Sequence, residues 1–534
     1  MTLSNHQASP DEELVYAPAI VILSSDLYPR KLEIVREYVQ NASDALDIFA
    51  GVSEHIDDST TPQIKISIQG KSLLIWDNGI GMDRSEIHKL KRIAYSEKKP
   101  DEGAGYKGIG RLAGIAVAGK LLISSTSYGD PKLHKFEFRA RDFREDVASK
   151  KRTGMQESAT VVINRHTTIE EFDVDPKEHY TLVELREIDD SYHELLDPLQ
   201  LQEYIGDIAP VGFSPEFCYG ESITKKLSEH VPYYSPKTIW LTTAMGERVQ
   251  IYKPYRDVME LAEPEFIEVA DQQRHLLAYC WYTTRGNEIL GRMRPAGRKF
   301  VVEGKTPTER KRLAGLVYKL FGFSIGDRNL PLPSLWKKDY TRALWFTGEI
   351  HVVDKGIKPT TDRANFVDNE ARNRLYAAGE GHIAKALNQK AQVISDERRS
   401  YDRAKKWSAR FEQLESQINN GGVERAELKA RKEELHKALG SAFDLGRCKD
   451  KDIDSYVRET AKRGRTLLRR IEDASTSKER KTEITDLAKE LDLTSQARKV
   501  YLITMEVIEH YFREDKDSYY ELSGLIAKAL KRKY

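Results

Sequence analysis

Glu37, Asn41 and Asp44 lie at i, i+4 and i+7. On an α-helix that spacing turns two carboxylates and a carboxamide toward one side, where all three can point into one cavity. Two further blocks follow. Asp77-Asn-Gly79-Ile-Gly81-Met82 puts an acid and two glycines at the end of an apolar stretch, and Gly105-Tyr-Lys107-Gly108-Ile109-Gly110-Arg111 crowds glycines and cations together. An acid at a strand end can accept a hydrogen bond from the exocyclic amine of adenine, while glycines permit positive φ and let a flat base approach the backbone. A glycine loop that opens a helix presents free N–H groups and the positive end of the dipole to phosphates, and Lys107 and Arg111 add charge. Each block alone is weak, since solvated polar faces and plain Asn-Gly turns look the same. Taken together, and in this order, they supply the parts of an ATP site. No Gly-Lys-Ser/Thr ends the loop, so it is not a Walker sequence, and no βαβ unit carries it as a dinucleotide fingerprint would.

The positioning elements can be read around these blocks. Val35, Tyr38, Ala42, Ala45 and Phe49 recur at spacings of three and four, which predicts an amphipathic helix over Lys31 to Ala50, entered after Pro29. Ile64, Ile66 and Ile68 alternate with polar residues, Gly70-Lys71 turns the chain, and Leu73 to Trp76 returns. That hairpin delivers Asp77 to a strand end. The apolar run Leu112 to Ala118 follows the glycine loop.

These blocks resemble the GHKL superfamily, which is named for gyrase, the heat shock protein 90 chaperones, histidine kinases and MutL. Arg36 to Leu46 (Arg-Glu-Tyr-Val-Gln-Asn-Ala-Ser-Asp-Ala-Leu) is most similar to the heat shock protein 90 branch. The resemblance implies an ATPase that uses ATP and Mg²⁺. Glu37 would be the general base for the attacking water, Asn41 the Mg²⁺ ligand, and Asp77 the reader of adenine with Gly81 beneath the base. Asp44, Gly79 and Met82 would lie beside them, and Gly105, Lys107, Gly108, Ile109, Gly110 and Arg111 would close over the phosphates. Thr181, in Tyr180 to Leu185, fits the threonine that relatives place near adenine, while Ser96 and Lys98 resemble the start of a lid over residues 83–104. Two positions depart from the chaperones: Leu90 stands where they have Asn, and Arg111 where they have an aromatic residue.

From Leu199 to Phe366 short strands mix with helices: Ile239 to Leu241, Val249 to Tyr252 and His275 to Tyr282 read as strands, and Lys311 to Leu320 as a helix. Relatives carry a transducer here, with one basic residue that senses the γ-phosphate. Arg363, in Lys355-Gly-Ile-Lys358-Pro-Thr-Thr-Asp-Arg363, is the first choice, with Lys355 and Lys358 as rivals; a surface Arg paired with Asp362 or Asp368 is the bland reading. Phe321-Gly-Phe-Ser-Ile-Gly-Asp327 is conspicuous and reads as a packed turn with no assigned chemistry. Beyond Phe366 the chain is helical and charged. Trp407, Phe411, Leu414 and Ile418 form a heptad seam that predicts a helical hairpin with coiled-coil packing. Ile453 to Ile471, Ile484 to Leu491, Val500 to Tyr511 and Tyr519 to Leu530 suggest a terminal helical bundle. Arg458, Lys462, Arg465 and Arg469 share one face that could track a phosphate backbone, with Arg463 and Arg470 beside it, though solvated helix faces look alike.

The 534 residues exceed one ordinary core, so three or four domains are expected. The fold class expected is α+β: a Bergerat-type α/β sandwich that binds ATP over 1–190, a transducer-like α/β domain over 191–367, a helical hairpin over 368–446 and a helical domain over 447–534. Charged residues are 32% of the chain with a net charge of +1, which suits a soluble protein and argues against general polyanion binding. Three scattered cysteines form neither a metal spacing nor a disulfide framework. Met1 to Tyr16 lack the apolar core of a secretory signal, and no apolar run is long enough to span a bilayer, so a cytoplasmic protein without membrane contact is expected. The function expected is an ATP-gated conformational machine, dimeric by family resemblance, acting on a protein or nucleic-acid client. A histidine kinase fits poorly, because its ATP domain usually follows the phospho-accepting helices. The non-catalytic alternative is an ATP-binding switch within a larger complex, possessing the same motifs and little turnover.

Overall fold

The computed structural model describes residues 31–52, 61–91, 110–153, 157–255, 265–271, 274–282, 313–336, 340–354, 356–419, 430–436, 439, 451–490, 493–508 and 516–533. Among these, the residues up to Ala391 make one compact unit and those from Gln392 onward a second.

The first unit is α+β. Its larger sheet takes β1 (Ile64–Gln69), β2 (Ser72–Asp77), β3 (Lys120–Thr126), β4 (Lys132–Phe138), β5 (Thr167–Asp173), β6 (Tyr180–Arg186), β7 (Ile239–Thr242) and β8 (Arg248–Ile251) in the order β5-β4-β3-β6-β2-β1-β7-β8. Neighbours pair antiparallel except β1 and β7. The strands over residues 239–251 thus extend this sheet rather than join the later ones. Helix α1 (Leu32–Val52) packs Val35, Tyr38, Ala42 and Leu46 into the same core as Ile64, Ile66, Leu73 and Ile75. Leu90 also lies in this core, buried, which accounts for an apolar residue at that position. On α1 burial goes further than one stripe, since Arg36, Gln40, Ser43 and Asp44 are buried as well.

The smaller sheet takes β9 (Glu265–Asp271), β10 (Arg274–Tyr282), β11 (Gly315–Leu320), β12 (Phe323–Ile325) and β13 (Phe346–Val352) in the order β12-β11-β13-β10-β9. The helix expected over Lys311 to Leu320 is therefore corrected: residues 315–320 are a strand, parallel to β13. Every residue of β11 is buried, and a strand covered on both faces reads as a continuous apolar run with no period to separate it from a helix.

One polar cluster is built into this unit. Lys253, just after β8, donates to both Glu349 oxygens at 2.7 and 2.9 Å. His351 meets the same carboxylate at 3.0 Å, and Lys319, the cross-strand neighbour of His351, stands 3.7 Å from it. Burial alone would raise the Glu349 carboxyl, but Lys253, Lys319 and the His351 bond hold it well below the usual carboxylate range. Burial pushes Lys319 down to about 7, with Glu349 opposing it.

The second unit is helical. Phe411 and Leu414, in helix Lys385–Asn419, pack with Leu435 and with Leu467 and Ile471 of helix Lys451–Glu490. Arg463 crosses this seam to Glu415 at 2.6 Å and Glu412 at 3.2 Å, and Arg470 donates to Asn419 at 2.8 Å. These two arginines therefore serve helix pairing. Residues 484–490 continue the helix that begins at Lys451 instead of starting a new one. Helices Ser495–Ile508 and Lys516–Lys533 bury Tyr501, Met505, Tyr519 and Ala527 together. Among the described residues, no helix is long and apolar enough to cross a membrane.

Removing one partner of a buried ion pair strands the other. Glu349→Gln is expected to lower the unfolding free energy by about 3–5 kcal/mol, read by urea denaturation. Glu370→Gln, which breaks an exposed pair with Arg374, is expected to leave the midpoint unchanged. Equal effects from both substitutions would contradict this account.

Candidate nucleotide site

The site has two ends, both lying against α1. At the first, β2 runs out at Asp77, which pairs in register with Thr181 on β6, and Thr181 pairs in turn with Ser125 on β3. Three side chains are thus laid side by side by sheet register alone. Ser125 ties the cluster together: its Oγ lies 2.9 Å from the Thr181 hydroxyl, donates to the Tyr180 carbonyl at 2.8 Å and accepts the Met82 N–H at 2.9 Å.

The turn after Asp77 crosses α1 closely. Gly79 N–H donates to Asp77 Oδ1 at 2.9 Å and Ile80 N–H to the Ala45 carbonyl at 3.1 Å. Gly81 has φ +73°, and a Cβ there would lie 1.9 Å from the Thr126 carbonyl oxygen, so only glycine fits. The His179 ring, stacked on Phe49 with centroids 4.1 Å apart, places Nδ1 at 2.8 Å from the Gly79 carbonyl. Asn78 is structural, bonded to the backbone of Gln63 and Thr61. Asp77 is buried, and burial pushes its carboxyl up to about 7 against the lowering effect of the Gly79 bond.

At the second end, Glu37 meets two residues distant in sequence. Gly110 opens the short 3₁₀ turn Gly110–Ala116, and a Cβ at this glycine would lie 2.0 Å from Glu37 Oε2. Any other residue would collide with the carboxylate. Tyr38, next on the helix, accepts the Gly114 N–H at 2.8 Å and fixes that turn against α1. Arg363 arrives from the loop after β13, with its Nε 3.4 Å from Glu37 Oε1. Its φ of +55° is a left-handed conformation that costs a non-glycine residue of order 1–3 kcal/mol, and Thr360 closes the turn by accepting the Arg363 N–H at 3.1 Å. Arg363 is buried on Glu37 rather than lying on the surface with Asp362 or Asp368.

Glu37, Gly110 and Arg363 are therefore together, as are Asp77, Gly79, Gly81, Met82 and Thr181. Asn41 is half-buried and Asp44 buried on the same helix. Arg111 falls in the 3₁₀ turn, and Lys358 is exposed. Ser96, Lys98, Gly105, Lys107, Gly108, Ile109, Lys355 and most of the lid segment lie outside the described residues. Ser125 and His179, which join these clusters, are not among the residues that the sequence motifs single out. The signal for the first was the polar end of an otherwise apolar strand, Leu121-Leu-Ile-Ser-Ser125; for the second there was none beyond its closeness to Thr181. On the basic face, Arg458 is bonded to Asp454 at 2.6 Å, while Lys462, Arg465 and Arg469 are exposed.

Residues 32–181 match the family described as histidine kinase-, DNA gyrase B-, and HSP90-like ATPase. This part of the chain carries a GHKL-type domain. Among curated proteins it is similar to the chaperone protein HtpG of Campylobacter jejuni strain RM1221, 34% identical over 152 residues. HtpG of Borreliella burgdorferi is 29% identical over 123 residues, and that of Rickettsia prowazekii 27% over 135. The matches cover 25%, 20% and 22% of this chain and the same shares of those proteins, so the likeness spans a quarter or less of each relative.

The raised Asp77 carboxyl has a signed consequence. Between its ordinary value of 3.8 and about 7, the folded chain holds a proton that the unfolded chain releases. This contribution favours the folded state below pH 3.8 and is lost as pH rises through about 7. The melting temperature of the nucleotide-free wild type, relative to that of Asp77→Asn, is thus expected to fall from pH 4 to pH 8. A pH-independent difference would contradict the assignment of the raised value to Asp77.

Proposed function

We propose that this chain is a Mg²⁺-dependent ATPase that works as an ATP-gated, dimeric conformational machine on a protein client. The observation that carries the reading is the meeting of Glu37, Gly110 and Arg363 at one end of α1, with Asp77 and Thr181 at the other. The distance between those ends follows from the helix, and it separates a base-reading acid from a carboxylate suited to water. The larger sheet with α1 against it is read as the Bergerat-type sandwich, and the smaller sheet as the transducer.

In this reading Asp77, beside Thr181 and Ser125, accepts the adenine amine, and the glycine turn at Gly79–Gly81 lies under the base. Glu37 orients the attacking water and takes its proton. Arg363 neutralises charge on the terminal phosphate, where its planar fork can bridge oxygens. Positioning and charge neutralisation make up most of what phosphoryl transfer asks of a protein. The residues present suit Mg²⁺: Asn41 offers a neutral oxygen beside Glu37, and Mg²⁺ takes few protein ligands besides substrate phosphates and water. Bound there through Asn41, the ion would offset phosphate charge.

The ion pair with Glu37 gives Arg363 a second role. While it holds, Arg363 competes with water for the carboxylate oxygens. A terminal phosphate is a stronger partner for Arg363 and would free Glu37 for water. Nucleotide arrival would thereby be coupled to the loop after β13. The chaperone names of the relatives support a protein client, and conformational gating through the lid over residues 83–104 follows from the same likeness.

The test is Mg²⁺-dependent ATP hydrolysis by the pure protein and by Glu37→Ala, with ATP binding measured in both. Turnover is expected to fall by about 10²–10⁴-fold in the variant while binding is kept. Equal turnover in both would remove Glu37 from the chemistry, and a wild type that binds no ATP would overturn the reading.

A further inference from the structure

The β11–β12 hairpin and the residues just after it, which together include the conspicuous Phe321–Asp327 segment, make contact on both sides of the Glu37–Arg363 pair. Its turn uses Phe321 at φ +49° and Gly322 at φ +77°. Just past that turn, the Ser324 carbonyl accepts the Nη2–H of Arg36, the residue before Glu37 on α1. Two residues further, Gly326 N–H donates to the Arg363 carbonyl at 2.8 Å. One short segment thus holds the helix that carries Glu37 and the loop that carries Arg363.

The hairpin is itself held in place. Ser324 Oγ and Lys319 Nζ both donate to the Asp207 carbonyl at 2.7 Å, near the end of helix Pro198–Ile208, where carbonyls lack helical partners. Lys319 and Ser324 are cross-strand neighbours in the hairpin, so this double bond fixes its register as well as its place. Arg36 could not keep its position unaided. Burial lowers its affinity for a proton, Tyr204 opposes that, and the nearby Arg363 guanidinium repels it. The Ser324 carbonyl supplies a fixed acceptor that offsets both penalties.

We propose that the segment Phe323–Gly326 is a positioning element for ATP hydrolysis, keeping Glu37 and Arg363 in register by binding Arg36 on one side and the Arg363 backbone on the other. Arg36 is then a positioning residue that acts through the helix. The inference rests on the ATPase reading above and adds to it a structural element that none of its motifs contains.

The experiment compares kcat, KM for ATP and the melting temperature in the full chain for Arg36→Met, Arg36→Lys, Gly326→Ala and the double variant Arg36→Met/Gly326→Ala. Gly326 has φ +62°, and a Cβ there would lie 2.6 Å from Leu330 Cδ2 and 2.8 Å from the Ala364 carbonyl oxygen, so alanine strains the backbone and presses on both Leu330 and the Arg363 loop. Each of Arg36→Met and Gly326→Ala is expected to lower kcat by about 10²-fold, with KM within about twofold of wild type. Arg36→Lys, which still donates to Ser324, is expected to recover most of the loss. Because both contacts serve one element, the double variant should lose little more than either single one. Unchanged kcat in both single variants would overturn the proposal. So would losses that multiply in the double variant, or that vanish on cooling along with a lowered melting temperature, since those mark general destabilisation. A wild type that binds ATP but shows no effect of these variants sinks the hairpin's role alone, whereas one that binds no ATP removes the ATPase reading and this inference with it.

Discussion

The ion pair between Glu37 and Arg363 joins residues 326 positions apart, and the site depends on it. It forms only if the larger sheet with α1 and the smaller sheet with its following loop pack as one unit. Its geometry is loose: one contact of 3.4 Å, with the side chains 13% and 10% exposed. A pair of this kind is shielded enough from water to matter electrostatically, yet at 3.4 Å it lies beyond the usual range of a strong hydrogen bond. Such a contact can be exchanged. A fully bidentate, fully buried pair like Lys253 with Glu349 cannot be exchanged so readily, and the protein uses that kind where the two sheets must stay joined.

These two kinds of contact divide the labour of the unit. The buried cluster of Lys253, Lys319, Glu349 and His351 demands specific geometry and tolerates no missing member, which makes it a poor source of net stability but a strict determinant of how β8, β11 and β13 meet. The polar side of α1 is less complete. Among the described residues, Gln40 is buried with neither amide atom bonded and Arg36 Nε is also unbonded, so this face carries a desolvation cost, which at Arg36 the Ser324 contact and the nearby Tyr204, Glu37 and Glu33 oppose.

The local geometry around Glu37 and Asp77 is legible because it rests on short-range periodicity. The i, i+4, i+7 spacing of Glu37, Asn41 and Asp44, the alternation of Ile64, Ile66 and Ile68, and the glycines after Asp77 each imply their local geometry without tertiary knowledge. The helix expected over Lys31 to Ala50 agrees with α1 to within two residues at its end, Ala50 against Val52. What was not legible depends on neighbours. Buried β11 has no alternation to set it apart from a helix, while β7 joins β1 by a parallel pairing that no local pattern encodes. Ser125 and His179 matter only because β3 and the segment before β6 fall beside Asp77 and Gly79. Arg36 looked like part of a motif, and its partner at Ser324 lies 288 residues away. Of the basic residues in the second unit, Arg463 and Arg470 could not be told from a solvated face until the helix opposite them was in place.

The proposed function requires one nucleotide to span the two ends of the site along α1. A crystal structure of the chain with Mg²⁺ and a non-hydrolysable ATP analogue tests it most directly. The adenine amine is expected at Asp77, the terminal phosphate within hydrogen-bonding reach of Arg363, and Glu37 released from that arginine to face a water. A nucleotide bound elsewhere, or one bound here with the Glu37–Arg363 pair intact and the terminal phosphate remote from both, would contradict it.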